Sequence, residues 1–429
     1  MTFFNKKLPL KRKELFSGLD IGSSKICCAI ASVDGENSPL ERTAETLPLR
    51  IIGVGYQISK GIKAGKIVSL EALENSILSA VQNAEQAAGQ NINNVYVSLP
   101  ASLTQSSIIK SQILIAGGQV EENHLRKLLE INQEDFIKNN RHIIHILPLT
   151  YTLDSAIGIR DPKGMIGKNL SVTLHVITAP TNLIRNLDHC IGRCHLDVAG
   201  YVSSAYASGL STLVEDELEL GTTVIDMGGA QTTIASFMNG SLVNLSFIPI
   251  GGNNITNDIA RGLGTPLSQA ERLKTLYGNL LSSGTDDQES IFIHPMGEIN
   301  SNHNHYISKG ALTRIIKSRA EEILELMMMR IKGSQTETLA HHRFILTGGA
   351  SQLQGLREFS SQFFSRQIRL GSPLGLQGTF DIIGSPSFST CAGLLYYALQ
   401  DYNGHRLNLP SLKKWDFLRR INLWFRENF

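Results

Sequence analysis

Asp20 stands inside FSGLDIGSSKICCAIAS, Phe16 to Ser32, where an apolar run delivers an acid, then Gly22, Ser23, Ser24 and Lys25, before apolar residues resume. Two strands meeting at a tight turn fit that pattern. Gly22 admits a closely approaching ligand, and two hydroxyls and an ammonium point donors at it. A phosphate suits such a tip, although the stretch taken singly also reads as a polar hairpin turn. The design returns in TTVIDMGGAQTTIASF, where apolar residues lead into Asp226, then Gly228, Gly229, small Ala230, Gln231, Thr232 and Thr233. Two such tips point to a duplicated domain with a ligand gripped between its halves. FILTGGASQLQGL, Phe344 to Leu356, reads as a buried strand that ends in Gly348 and Gly349 and starts a helix. In that geometry backbone N–H groups and a helix N-terminus face an anion or nucleotide. Asp20 and Asp226 offer charge for magnesium through its bound waters, because Mg²⁺ dehydrates reluctantly.

The elements that must position these residues follow an α/β pattern. From Glu14 to about Ser102 the chain reads as two strands, a Gly-punctuated segment IIGVGYQISKGIKAGKI, a helix over Ser69–Ala88 and a strand at VYVSL. Residues 103–178 turn to β-rich alternation with one helix in EENHLRKLLEINQED, the texture of an inserted small domain, and a helix follows at Asn182–Cys194. The second half starts near Gly200, and PIGGNNITNDIARGLG puts Gly251 and Gly252 before a helix. A polar region and the helical pattern Lys309–Ile331 make residues 256–332 a second insertion, with Met327, Met328 and Met329 expected to fill core gaps. The α/β texture then resumes and closes with the small-residue helix STCAGLLYYAL.

The last residues carry a different chemistry. On a helical wheel Trp415, Phe417, Leu418, Ile421, Trp424, Phe425 and Phe429 share one half, while Lys413, Asp416, Arg419, Arg420, Arg426 and Glu427 take the other. Rings on one face and cations on the other describe a helix lying in the interface of an anionic membrane. A terminal helix docked on its own core would use the same apolar face, but Gly404 and Pro410 in the linker 402–411 argue for a detached 412–429 helix. The 429 residues carry 40 Lys+Arg against 38 Asp+Glu, so no global basic field argues for nucleic acid. Five cysteines without framework spacing fit a reducing cytosol. No apolar run of about 18 residues exists for a spanning helix. The basic start lacks the apolar core of a signal peptide, so a cytoplasmic protein is expected. DHCIGRCHLD invites a metal reading through His189, Cys190, Cys194 and His195, but lacks a second ligand cluster at zinc spacing.

Two acid-led phosphate hairpins, a TGGAS loop and an A-G-L closing helix resemble the actin, hexokinase and heat-shock-chaperone superfamily. Within it, segment order, IIGVG, PIGGNNITNDIA, ILTGGASQLQGL and the tail LKKWDFLRRINLWFRENF resemble the FtsA family of bacterial cell-division proteins. The resemblance implies an actin-like duplicated ATPase fold around a nucleotide cleft. Its subdomains would be 14–102 with 179–200 and 389–401, then 103–178 (SHS2-like), 201–255 with 333–388, and 256–332. ATP with Mg²⁺ would sit between Gly22, Ser23, Ser24 and Lys25 on one side and Gly228, Gly229, Ala230 and Gln231 on the other. Gly251 and Gly252 would border it, Gly348, Gly349 and Ala350 would back the adenosine, and Glu271 with Lys274 would reach ribose or base. Glu271 and Lys274 also suit a plain surface ion pair. Ala230 and Thr233 depart from a third glycine and a later Asp common in bacterial members. AGYVSSAYASG lacks Gln, Glu or His to position water, so weak or absent hydrolysis is expected.

The resemblance further implies an adaptor on the cytoplasmic face of the inner membrane at the septum. It would anchor FtsZ polymers through the FtsZ C-terminal tail, assemble into filaments and recruit other division proteins. Lys309, Arg314 and Lys317 are the candidates for the acidic FtsZ peptide, although the same residues suit an exposed helix face. A pilus-assembly adaptor of related build remains a rival. A small-molecule kinase would need a cleft acid near 200–210, and a heat-shock chaperone would need a β-domain after the closing helix.

Overall fold

The computed structural model describes residues 14–33, 49–63, 65–115, 118–130, 139–281, 283–297, 305–332, 343–378 and 381–402. Trp415, Phe417, Leu418, Arg419, Arg420, Ile421, Trp424 and Phe425, the residues expected to meet a membrane, lie outside them. The described residues of Met1–Thr104 and Arg185–Ala398 form one compact unit, and those of Gln105–Ile184 with Leu399–Phe429 form another.

The first unit contains the same five-stranded sheet twice. Strands β1 (Leu15–Ile21), β2 (Lys25–Val33) and β3 (Leu49–Ile58) form an antiparallel meander. Beyond α1 (Leu70–Ala88), strand β4 (Asn94–Leu99) joins the other side of β1 in parallel. The second unit intervenes, and α3 (Thr181–Arg193) leads into β9 (Asp197–Ser203), which adds in parallel to β4. After α4 (Ser204–Thr212) and α5 (Glu215–Leu220), the order is repeated by β10 (Thr222–Met227), β11 (Thr232–Met238) and β12 (Ser241–Ile248). Here β15 (Arg343–Thr347) and β16 (Ile368–Leu370) are the parallel pair. The apolar runs of β2 and β11 are buried almost throughout, as central strands require.

The sequence IIGVG has a packing reason. A Cβ at Gly53 would stand 2.2 Å from the Ala84 carbonyl oxygen and one at Gly55 2.1 Å from that of Ala80, so bare glycines let α1 lie directly on β3. Ser69 caps α1 by accepting from the Ala72 N–H, and Gly89 ends it in the left-handed region.

Between β12 and β15 come α6 (Gly252–Leu263), α7 (Leu267–Tyr277), the hairpin β13 (Ser290–Ile293) with β14 (His305–Ser308), and α8 (Lys309–Lys332). Leu312, Ile316, Ile323, Leu324 and Met327 of α8 join a core with Ile255 and Ile259 of α6. The methionine expectation needs correction: Met327 is buried but Met329 is 67% exposed, because neighbouring helical residues lie about 100° apart and cannot share one buried stripe. The helix expected directly after Gly349 also starts later. A 3₁₀ turn, Gly349–Gln352, intervenes, and α9 (Leu356–Phe364) begins past Gly355, whose φ is 78°. The closing helix is α10 (Ser389–Tyr402).

The second unit is a four-stranded antiparallel sheet ordered β5 (Gln105–Leu114), β8 (Asn169–Pro180), β6 (Arg141–Leu153), β7 (Ala156–Ile159). Leu125, Leu128 and Leu129 of α2 (Glu122–Glu130) pack with Leu170, Val172, Leu174 and Val176 of its central strand.

Candidate nucleotide site

The two acid-led tips fold alike. Ile21 pairs with Ile26 and Met227 with Thr232, leaving residues 22–25 and 228–231 as the loops. Each loop closes with its first N–H donating to its last carbonyl, Gly22 to Lys25 at 3.1 Å and Gly228 to Gln231 at 3.0 Å. Duplication is therefore visible down to single hydrogen bonds. The tips also meet: a Cβ on Gly229 would lie 2.0 Å from Ser24 Oγ, which donates to Asn253 Oδ1 at 3.3 Å.

Both tips open onto one cavity of about 510 Å³. Its wall contains Asp20, Gly22, Ser23, Ser24, Lys25, Asp226, Gly228, Gly229, Ala230, Gln231, Gly252, Glu271, Lys274, Gly348, Gly349 and Ala350. Every residue assigned to the nucleotide from sequence is thus brought together there except Gly251. Gly251 instead packs beneath the second tip as the cap of α6, where a Cβ would stand 2.4 Å from the Gly228 carbonyl oxygen. The first amides of α6 are engaged there too, Gly252 N donating to Gly228 O and Asn253 N to Gly229 O. That helix end locks the tip in place with its own orphan donors.

The carboxylates are held by hydroxyls that sequence reasoning did not single out. Ser98 Oγ, at the end of β4, donates to Asp20 Oδ1 at 2.7 Å and accepts from the Ile21 N–H at 3.0 Å. Asp226 Oδ2 receives Ser208 Oγ of α4 at 2.5 Å and Thr390 Oγ1 of α10 at 3.2 Å. Burial pushes the Asp20 carboxyl up to about 6, against the Ser98 hydrogen bond and Lys25, with Asp226 adding to the rise. Burial also raises Asp226, against Ser208, Thr390 and Lys25, and lowers Lys25 below the ordinary lysine range. Two half-buried carboxylates with one ammonium beside them leave this part of the pocket short of positive charge, which suits a divalent cation accompanying an anionic ligand.

At another part of the wall Lys274 Nζ reaches Glu271 Oε2 at 2.7 Å, Thr256 Oγ1 at 2.8 Å and Gly252 O at 3.2 Å. The pair is an i, i+3 ion pair and also part of the cavity wall. Gln352, Leu353 and Gln354, which no local motif marks, continue that wall past Ala350.

The cations proposed for an acidic peptide each have a neighbour within the chain. Lys309 Nζ lies 2.9 Å from Glu289 and 3.3 Å from Asp286, Arg314 Nη1 lies 3.1 Å from Asp287, and Lys317 faces the Phe359 ring at 5.6 Å. The two cysteines of DHCIGRCHLD are buried, with Cys190 Sγ near the Leu70 carbonyl and Cys194 Sγ near that of Glu74.

Comparison with known proteins agrees with this architecture. Residues 223–393 match the family model for cell division protein FtsA, and residues 102–178 match that for the SHS2 domain inserted in FtsA. Cell division protein FtsA of Rhizobium meliloti is 38% identical over 428 residues, covering 99% of this chain and 97% of the relative. That of Pseudomonas aeruginosa is 31% identical, over 97% and 98%, and that of Escherichia coli 29%, over 97% and 99%. Among solved structures, the PilM-PilN type IV pilus biogenesis complex superposes with a TM-score of 0.61 at 16% identity, covering 91% of this chain and 99% of that one. MreB5 of Spiroplasma citri bound to ADP gives 0.53 at 13%, covering 92% and 99%. The fold is actin-like. Similarity to FtsA relatives along almost the whole chain, at up to 39% identity, places the chain in the FtsA family of cell division proteins.

Proposed function

We propose that this chain binds ATP with magnesium in the cavity between its two acid-led tips and serves as a membrane adaptor of the division septum. The observation that carries the nucleotide part is the pairing of Asp20 and Asp226, each beside a short-side-chain tip, in a pocket short of positive charge. Asp20 and Asp226 would hold Mg²⁺ through water, the tips would face the phosphates, and the wall from Glu271 and Lys274 to Ala350 would take ribose and base. Subdomain boundaries at 102/103, 178/179, 255/256 and 332/333 belong to the same reading.

Family membership and the tail chemistry support the adaptor part. Residues 412–429 would lie in anionic lipid at the cytoplasmic face of the inner membrane, while the body binds the C-terminal tail of FtsZ, copies of itself and later division proteins. Lys309 and Arg314 would have to exchange Asp286, Glu289 and Asp287 for the acidic groups of that peptide. Flotation of FtsZ polymers with anionic vesicles tests the reading. Polymers should float with the full chain, remain below when residues 412–429 are removed, and remain below when FtsZ lacks its C-terminal tail. Flotation unaffected by both deletions refutes the adaptor.

A further inference from the structure

Lys25 ends the first tip, and its ammonium sits 3.2 Å from the centroid of the Phe388 ring. Among the described residues it makes no ion pair with a carboxylate, although the charges of Asp20 and Asp226 both act on it. Phe388 itself is 4% exposed and is fixed by its surroundings. It closes the 3₁₀ turn Pro386–Phe388, capped by Ser385, and the Pro386 carbonyl accepts the Gly348 N–H at 3.1 Å. Tyr56 of β3 packs edge-on against the ring at 5.8 Å. Two residues later, Thr390 donates to Asp226, and Cys391 reaches the Gly18 carbonyl beneath β1. The ring is thus held by both halves of the duplicated fold, directly beside the cavity.

From this arrangement we infer that Phe388 is a positioning residue for nucleotide binding: its π-face seats the Lys25 ammonium and keeps it off the two carboxylates. The inference rests on the proposed nucleotide site. A lysine cation in a pocket with two acids collapses onto one of them unless another surface attracts it, and an aromatic face shielded from water does so without carrying charge. With the ammonium seated there, the carboxylates stay free for a hydrated divalent cation and the ammonium stays free for a phosphate oxygen. Without the ring, Lys25 pairs with Asp20 or Asp226, and a ligand must break that pair before binding.

The test is MgATP affinity by calorimetry for wild type, Phe388→Leu, Phe388→Met, Phe388→Tyr, Lys25→Gln and Lys25→Gln with Phe388→Leu, each checked by thermal melting. Leu and Met keep an apolar filling but lose the ring, and should weaken binding about fivefold to thirtyfold, the range from an exposed to a desolvated cation–π contact. Tyr, which keeps the ring, should restore affinity to within about twofold of wild type. In the Lys25→Gln background, Phe388→Leu should cost nothing further. Equal losses in both backgrounds would show that the ring acts through packing alone, and unchanged affinity in Leu and Met would overturn the inference outright. Wild type that binds no MgATP at all would instead remove the nucleotide site, and this inference with it.

Discussion

Replacing Gly348 by alanine isolates the backbone that seats the cavity. Gly348 has φ 85° and ψ 166°, a region that only glycine occupies without strain, so alanine costs about 1–3 kcal/mol there. Its Cβ would also stand 2.3 Å from Asp226 Oδ1. That carboxylate is pinned by Ser208 at 2.5 Å and Thr390 at 3.2 Å, so moving it weakens two hydrogen bonds at about 1 kcal/mol or more. The sum is about 2–4 kcal/mol, and at about 2–3 °C per kcal/mol for a unit of this size the melting temperature falls by about 4–12 °C. Gly349 is the matched control, because a Cβ there meets only Ser387 Cβ at 3.7 Å, an ordinary contact. Thermal denaturation of Gly348→Ala and Gly349→Ala, followed by MgATP calorimetry on both, is the assay. Only the first should lose stability, and it should lose most of its nucleotide affinity with it. If the two melt within about 1 °C of each other, the steric reasoning at Gly348 is wrong.

Asp20 sets a pH dependence whose sign follows from its shift. Its folded-state pKa is raised from 3.8 to about 6, so the folded protein holds the extra proton between those values and stability falls as pH rises through that window. Asp20→Asn should therefore raise stability by up to about 3 kcal/mol near pH 8 and change little near pH 4, as melting at both pH values would show. MgATP affinity should fall as pH drops below the Asp20 value, because a protonated carboxyl no longer attracts hydrated magnesium; a flat calorimetric profile across that value argues against Asp20 as the metal's partner. Removing residues 412–429, or combining Trp415→Glu with Phe425→Glu, should abolish vesicle flotation while leaving MgATP binding intact; truncated protein that still floats refutes the membrane role of the tail. Turnover should stay slow even on anionic vesicles, and phosphate release at about 10 per second or faster, an ordinary metabolic rate, would overturn that expectation.

Turn chemistry is local, and for that reason the two tips were legible before any fold was known. Acid, glycine and small polar residues between apolar runs dictate a hairpin whichever domain contains it, and the repeated pattern implied a duplicated body, whose actin-like form the family resemblance supplied. The amphipathic sorting of residues 413–429 is equally a property of the chain itself. The helix over Ser69–Ala88 was legible in the sequence, whereas the 3₁₀ turn after Gly348 was not, because nothing local distinguishes it from a first helical turn. What the chain alone could not disclose was the company each acid keeps. Ser98 is 78 residues from Asp20, and Thr390 is 164 from Asp226, so those hydrogen bonds exist only after parallel strands and a closing helix have been assembled. Gly251 looked like a ligand-facing glycine, yet packing turned it toward the Gly228 carbonyl instead. Lys25 was visible as a cation at a tip, but only the tertiary structure could set the Phe388 ring beneath it. The identity of a tip residue fixes which interactions it can make; which of them it does make depends on groups delivered from distant segments, and on how far their packing excludes water.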